Sequence, residues 1–258
     1  MMIMRILFSL VGQLLQRLLT LTVIASVCLV LVWSFPVQAA SRINPQLEEQ
    51  VLQIIRNHPE AILESVQVYQ QEQQQELQQT RQAFLQDLKF NPQKVIGDSP
   101  TTGANTPKIL LVEFSDFQCP YCAEAHKTLK NLIAKHQDKV KLVYKNFPLI
   151  SIHAEAMPAA EAAWAAQQQG KFWEYHDSLF NNQKKIGDSL YVDIAKKLNL
   201  DLEKFEKDRQ IANNVIQKDI QLADNLGLSG TPFFIMNSDT VSGVVQLSKI
   251  EEILTSAK

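Results

Sequence analysis

The chain has 258 residues, 46% of them hydrophobic and 20% charged, with a formal net charge of −2. That length holds one domain of about 150 to 200 residues with a substantial core, plus an additional element. Eight glycines and ten prolines exclude a collagenous or low-complexity chain, the near-neutral balance argues against a nucleic-acid partner, and three cysteines are too few for a disulfide-stapled scaffold.

Residues 1–40 read as an export signal. An apolar run from Leu18 to Phe35 follows Arg5 and Arg17, and no acidic residue precedes Glu48. Val37-Gln38-Ala39-Ala40-Ser41 suits cleavage after Ala39 or Ala40. The run is also long enough to remain as a signal anchor. Either way the rest of the chain is expected to be exported, into the periplasm or tethered to the membrane facing it. Without residues 1–40, Cys28 is gone and 23 basic residues face 27 acidic ones. The thiols that remain, Cys119 and Cys122, are three positions apart.

Residues 41–96 form a helical, Gln-rich amino-terminal region. Leu47, Val51, Ile54, Ile55, Ile62, Val66 and Tyr69 follow three- and four-residue steps. Asn57-His58-Pro59 breaks the pattern, and Pro59 suits the first turn of a second helix. Seven of the ten residues from Gln70 to Gln79 are glutamine, before Phe84, Leu85 and Leu88 restore the stripe and Asn91-Pro92 ends it. The narrow apolar seam across residues 44–90 either packs back on its own domain or drives homo-oligomerisation. Gly97–Pro107 has the composition of a linker.

The remainder, residues 97–258, alternates strand and helix. Ile109–Phe114 is a buried strand, Pro120 opens a helix to about His136, and Val140–Tyr144 is a second strand, together a βαβ unit. An inserted helical domain covers about residues 153–226. Thr231-Pro232 leads into a strand at Phe233–Met236, Asn237–Asp239 turns the chain toward Val241–Val245, and Ser248 caps a closing helix with Glu251 completing a capping box.

Cys119-Pro120-Tyr121-Cys122 stands where the first strand hands over to its helix. A helix amino terminus favours a thiolate at Cys119. Cys122, one turn further in, is the shielded resolving partner of an exposed, attacking Cys119. A metal site of Cys119, Cys122 and His126 is the rival, giving an exported copper- or zinc-binding protein, although no second cysteine pair completes it. Haem attachment is excluded because Ala123 follows the second cysteine, and a purely structural disulfide would close too short a loop to stabilise much. His126 reads as an exposed helix histidine. His153, His176, Phe172, Trp173 and Tyr175 read as packing of the insertion.

Val112-Glu-Phe-Ser-Asp-Phe-Gln-Cys-Pro-Tyr-Cys122, Gln169-Gly-Lys-Phe-Trp-Glu-Tyr-His176 and Gly230-Thr-Pro-Phe-Phe234 together resemble the DsbA-like branch of the thioredoxin superfamily. The resemblance covers residues 97–257 and implies an α/β thioredoxin fold with a helical insertion, preceded by a helical stalk. It implies a cis-proline loop at Thr231-Pro232, lying against the dithiol and binding extended substrate together with Pro120 and Tyr121. It also implies that Glu113 is a buried acid that moves the proton of the resolving thiol; burial would raise its pKa. The implied activity is disulfide formation in reduced or unfolded exported proteins, with re-oxidation by a quinone-linked membrane partner and without a cofactor. The Pro-Tyr dipeptide resembles that of glutaredoxins, so the expected potential is less oxidising than the roughly −120 mV of DsbA. Val51–Ile62 further resembles the stalk of a subgroup that oligomerises and isomerises disulfides.

Overall fold

The computed structural model describes residues 44–237, 242–244 and 246–256; the expected signal or anchor and the turn at 238–241 lie outside these. The chain divides into two compact units between Gln67 and Val68.

The first unit holds helix α1 (Pro45–Asn57) and the first turns of α2 (Pro59–Phe90), with His58 between them. The Asn44 side chain accepts from the Gln46 amide at 3.0 Å and caps α1. Leu47, Val51, Ile54, Ile55, Ile62 and Val66 are all exposed. The periodicity is therefore present, and its apolar face is exposed among the described residues.

The second unit begins inside α2. Its later turns lead to a short helix α3 (Pro92–Ile96), which the sequence pattern does not announce. Phe84 and Leu88 of α2, with Val95 and Ile96 of α3, enter one core with Leu110, Val112 and Phe114. Arg81 Nε donates to the Leu226 carbonyl at 2.8 Å, so this part of α2 is also fastened by a polar bond.

The sheet is five-stranded, in the order β1-β3-β2-β4-β5. Its strands are β1 (Thr101–Gly103), β2 (Ile109–Ser115), β3 (Val140–Asn146), β4 (Phe233–Asn237) and β5 (Ser242–Val244). β2 and β3 are parallel, and the other pairings are antiparallel. The expected linker therefore contains an edge strand. Gly103 is required there: its φ is +98°, and a Cβ would lie 2.2 Å from the Val140 carbonyl oxygen.

Helix α4 (Pro120–Lys135) connects β2 to β3 and covers one sheet face with Leu129, Leu132 and Ile133 against Ile109, Leu111 and Leu142. The insertion comprises α5 (Ala156–Gln167), α6 (Phe172–Asn181), α7 (Asp188–Lys197), α8 (Leu202–Ile211) and α9 (Asn213–Asn225). Seven buried alanines on α5 let neighbouring helices approach closely, and Tyr175, Leu179, Tyr191 and Phe205 fill the space around them. The closing helix α10 (Leu247–Ser256) begins one residue before Ser248, so Ser248 lies within its first turn rather than at the cap.

Leu88→Ala is expected to destabilise the protein by about 2–5 kcal/mol, because the side chain is 1% exposed within the sheet core. Urea unfolding with an unchanged m-value would measure this; a loss below ~1 kcal/mol would exclude the end of α2 from that core.

Candidate active site

All seven residues of β2 are buried, so the strand delivers the chain to the start of α4 on a fixed trajectory. Cys119 occupies the N-cap of α4 in extended conformation, and Pro120 follows at the first helical position. Asp116 holds the intervening loop. One carboxylate oxygen accepts from the Gln118 amide at 2.7 Å, and the other accepts from the Leu149 amide at 3.0 Å and faces His153 Nδ1 at 2.7 Å. His153, expected among packing residues, is thus a partner of the dithiol loop. Gln183 donates from Nε2 to the carbonyls of Phe117 at 2.9 Å and Cys119 at 2.8 Å. Sequence reasoning missed both Asp116 and Gln183; Asp116 lies within the stretch that carried the resemblance, whereas no local pattern marks Gln183.

The expected contrast between an exposed and a shielded sulfur is small in area, since Cys119 is 4% and Cys122 0% exposed. The large contrast is electrostatic. Cys119 lies far below the usual thiol pKa because the Cys122 thiol donates to its sulfur, which outweighs burial; the Thr231 hydroxyl and the amides of Cys122 and Tyr121 assist. Cys122 is pushed far upward by burial and by its partner sulfur. Both cysteines are thiols here. Protonated Cys119 donates to the Thr231 carbonyl at 3.4 Å, and the Thr231–Pro232 peptide is cis. The Thr231 side chain favours the ionised form of both sulfurs. Pro120 and Tyr121 are exposed beside the buried sulfur, Tyr121 at 71%.

Glu113 sits within β2, two residues before its end, and is 1% exposed. It shares a strand side with Ile109, Leu111 and Ser115, so it occupies a place where the alternation supplies apolar side chains against α4. Burial pushes its pKa up to about 7, partly opposed by the Ser115 hydroxyl. Ser115 also favours the ionised form of Cys122, and one Glu113 oxygen lacks a hydrogen-bond partner. Glu113 lines a cleft of about 520 Å³ with His126, Lys130, Trp173, His176 and Asp177.

His126 is 7% exposed, contrary to the expected surface histidine. Its ring stacks on Phe180 with centroids 5.1 Å apart and meets His176 edge-on at 5.0 Å. Among the described residues, the cluster with metal-ligand spacing is His126, His176 and Asp177. It contains neither thiol, so it is a different set from the rival grouping of His126 with Cys119 and Cys122.

Residues 96–256 match the family described as Thioredoxin, and the chain belongs to that family. A thioredoxin-like oxidoreductase from Silicibacter pomeroyi DSS-3 is 31% identical, with a TM-score of 0.54 over 62% of this chain and 92% of that one. ScsC of Proteus mirabilis, in a transitional conformation, is 23% identical with a TM-score of 0.56, covering 85% of this chain and 98% of that chain; this second likeness is one of fold alone. Na(+)/H(+) antiporter NhaA 3 of Salinispora tropica is 35% identical over 158 residues, 60% of this chain and 24% of the antiporter. The chain thus spans about a quarter of the length of the curated relatives it matches.

Two pH dependences follow. Alkylation of Cys119 by iodoacetamide should already be at its plateau at pH 7, where a free thiol of pKa about 8.5 would still be gaining rate. Cys122 should stay unmodified. Equal rates, both rising through pH 8–9, would contradict the asymmetry. The raised pKa of Glu113 means the folded protein binds more protons than the unfolded chain between about pH 4.5 and pH 7. Stability should therefore fall as pH rises across that window. Glu113→Gln should remove this part of the slope in denaturant titrations; an identical profile would show the acid to be unperturbed.

Proposed function

We propose that the protein is an exported thiol–disulfide oxidoreductase that forms disulfides in reduced secreted proteins through Cys119 and Cys122. The observation that carries this reading is the placement of two sulfurs one turn apart at a helix amino terminus, the first touching the cis-proline loop, an arrangement that pushes their ionisation in opposite directions.

In the oxidised protein, a substrate thiolate attacks Cys119 Sγ. The Cys119–Cys122 bond breaks, a mixed disulfide forms, and Cys122 leaves with the electron pair. Cys122 is too poor a thiolate to remain charged, and Glu113, with a pKa of about 7, is a proton donor matched to it. A second substrate thiolate then attacks the substrate's own sulfur in the mixed disulfide. That attack forms the substrate disulfide and releases Cys119, stabilised as a thiolate. The substrate loses two electrons and the dithiol gains them; a quinone-linked membrane oxidase would return the pair to the disulfide. Thr231 and Pro232, with Pro120 and Tyr121 at the rim, would form the surface that an extended substrate meets. Among the described residues no helix is long and apolar enough to cross a membrane.

The exposed apolar face of α1 and early α2 favours a second reading, an oligomeric disulfide isomerase. Donation and shuffling use the same sulfurs and differ in whether several sites act on one substrate.

Cys119→Ser should abolish oxidation of a reduced, unfolded substrate, and full activity in that variant would end the redox reading. Rescue of a scrambled-disulfide substrate, measured beside the equilibrium potential of the pair, separates the two directions: strong rescue favours shuffling, and an oxidising potential without rescue favours donation. Ile54→Glu together with Ile62→Glu should reduce the mass in solution to that of a single chain if the seam self-associates. A mass equal to that of the unsubstituted protein would remove the oligomer.

A further inference from the structure

Asp177 divides its two carboxylate oxygens between different partners. Oδ2 pairs with Lys130 Nζ, whereas Oδ1 lies 3.6 Å from His126 Nε2 and 3.3 Å from His176 Nδ1. The three ligand atoms converge within 4.8 Å of one another. Nitrogen and oxygen ligands about 2.0–2.2 Å from a zinc-like ion stand about 3.3–3.5 Å apart when arranged as a tetrahedron, so the His176–Asp177 spacing already matches such a site and the 3.6 Å His126–Asp177 spacing lies just beyond it. They belong to elements that packing fixes firmly: His126 is on α4, and His176 and Asp177 are on α6. The His126 ring is held by Phe180, and His176 is surrounded by Phe117, Tyr144, Phe172 and Trp173.

We propose that His126 Nε2, His176 Nδ1 and Asp177 Oδ1 form a three-ligand site for a divalent transition cation of the zinc class, separate from the dithiol. Two imidazoles and one carboxylate suit zinc, cobalt and nickel better than magnesium or calcium, which take mainly oxygen ligands. Lys130 lies close, yet its ammonium engages the other carboxylate oxygen. It therefore acts on the ligand from outside, orienting the carboxylate as hydrogen-bonded neighbours of metal ligands commonly do. His176 Nε2 makes no hydrogen bond, and binding through Nδ1 requires the proton that Nδ1 now donates to Asp177 to move to Nε2. All three residues line the 520 Å³ cleft, which leaves the fourth coordination position open to water or to a small ligand. Glu113 lines the same cleft, and the ion would bring a positive charge close to the acid assigned to proton movement.

Because thiols bind the same metals, the test uses the exported chain carrying Cys119→Ser and Cys122→Ser, which also separates its outcome from that of the redox reading. Titration with cobalt(II) should give one ion per chain, with d–d absorption of a tetrahedral or five-coordinate centre and no thiolate charge-transfer band. Zinc should displace the cobalt and raise Tm, since the ion binds the folded form. Asp177→Asn, at a partly exposed position, should weaken zinc at least about tenfold, the lower end of what losing even an outer-sphere partner costs; His176→Gln should do the same. Failure of the cysteine-free chain to bind either ion would overturn the site. Equal affinity in Asp177→Asn would do so as well, and that variant decides the matter should His176→Gln fail to fold.

Discussion

Holding a charge on one sulfur where water scarcely reaches is the constraint around which the second unit is arranged. An isolated thiolate in such a place would be expelled or protonated. Here the charge is met by a neighbouring thiol, a helix amino terminus and the Thr231 hydroxyl. The first two belong to the first turn of α4 and the third to the loop before β4, and their meeting requires β2, α4 and that loop to be held together. Asp116 and Gln183 secure that meeting through the backbone: one fixes the approach to the helix, and the other grips the carbonyls on either side of the turn.

The same strand carries a second polar commitment. On the side facing α4, β2 changes from Ile109 and Leu111 to Glu113 and Ser115, and the side remains buried. Placing a carboxyl there costs stability whenever it is charged, yet the cost gives the acid a pKa near neutrality. Tyr144, directly across the parallel ladder from Glu113, is buried too, and burial pushes its phenol upward. Tyr144 is thus held neutral beside an acid that changes charge near neutral pH.

Much of this architecture could be read from local patterns. The apolar run at 109–114, the proline opening α4 and the break at Asn57-His58-Pro59 each act within a few residues, and each lies within a residue or so of the observed element. The cis peptide before β4 was legible only through resemblance, because an X-Pro bond carries little isomer information by itself. What escaped depends on distant neighbours. Three residues of the apparent linker become β1 because β3 offers an unpaired edge. His126 seemed destined for solvent because its burial is caused by α6, some fifty residues later. The later turns of α2 look like part of a free stalk, yet Phe84 and Leu88 have a sheet face to fill. Gln183 has no local signature at all, since its value lies entirely in the two carbonyls it happens to reach.

The bond from Arg81 to the last turn of α9 has a mechanical corollary. Only four residues, Gly227 to Gly230, separate the accepting carbonyl of Leu226 from Thr231. At Gly227 the chain turns with φ +65°, and the methyls of Leu77 stand 3.0 and 3.1 Å from where a Cβ would be. Side chains of α2 therefore clasp the root of the segment that ends against the reactive sulfur. Torque applied to the later turns of α2 would be felt first at this clasp and, a few peptide units on, at the cis peptide beside Cys119.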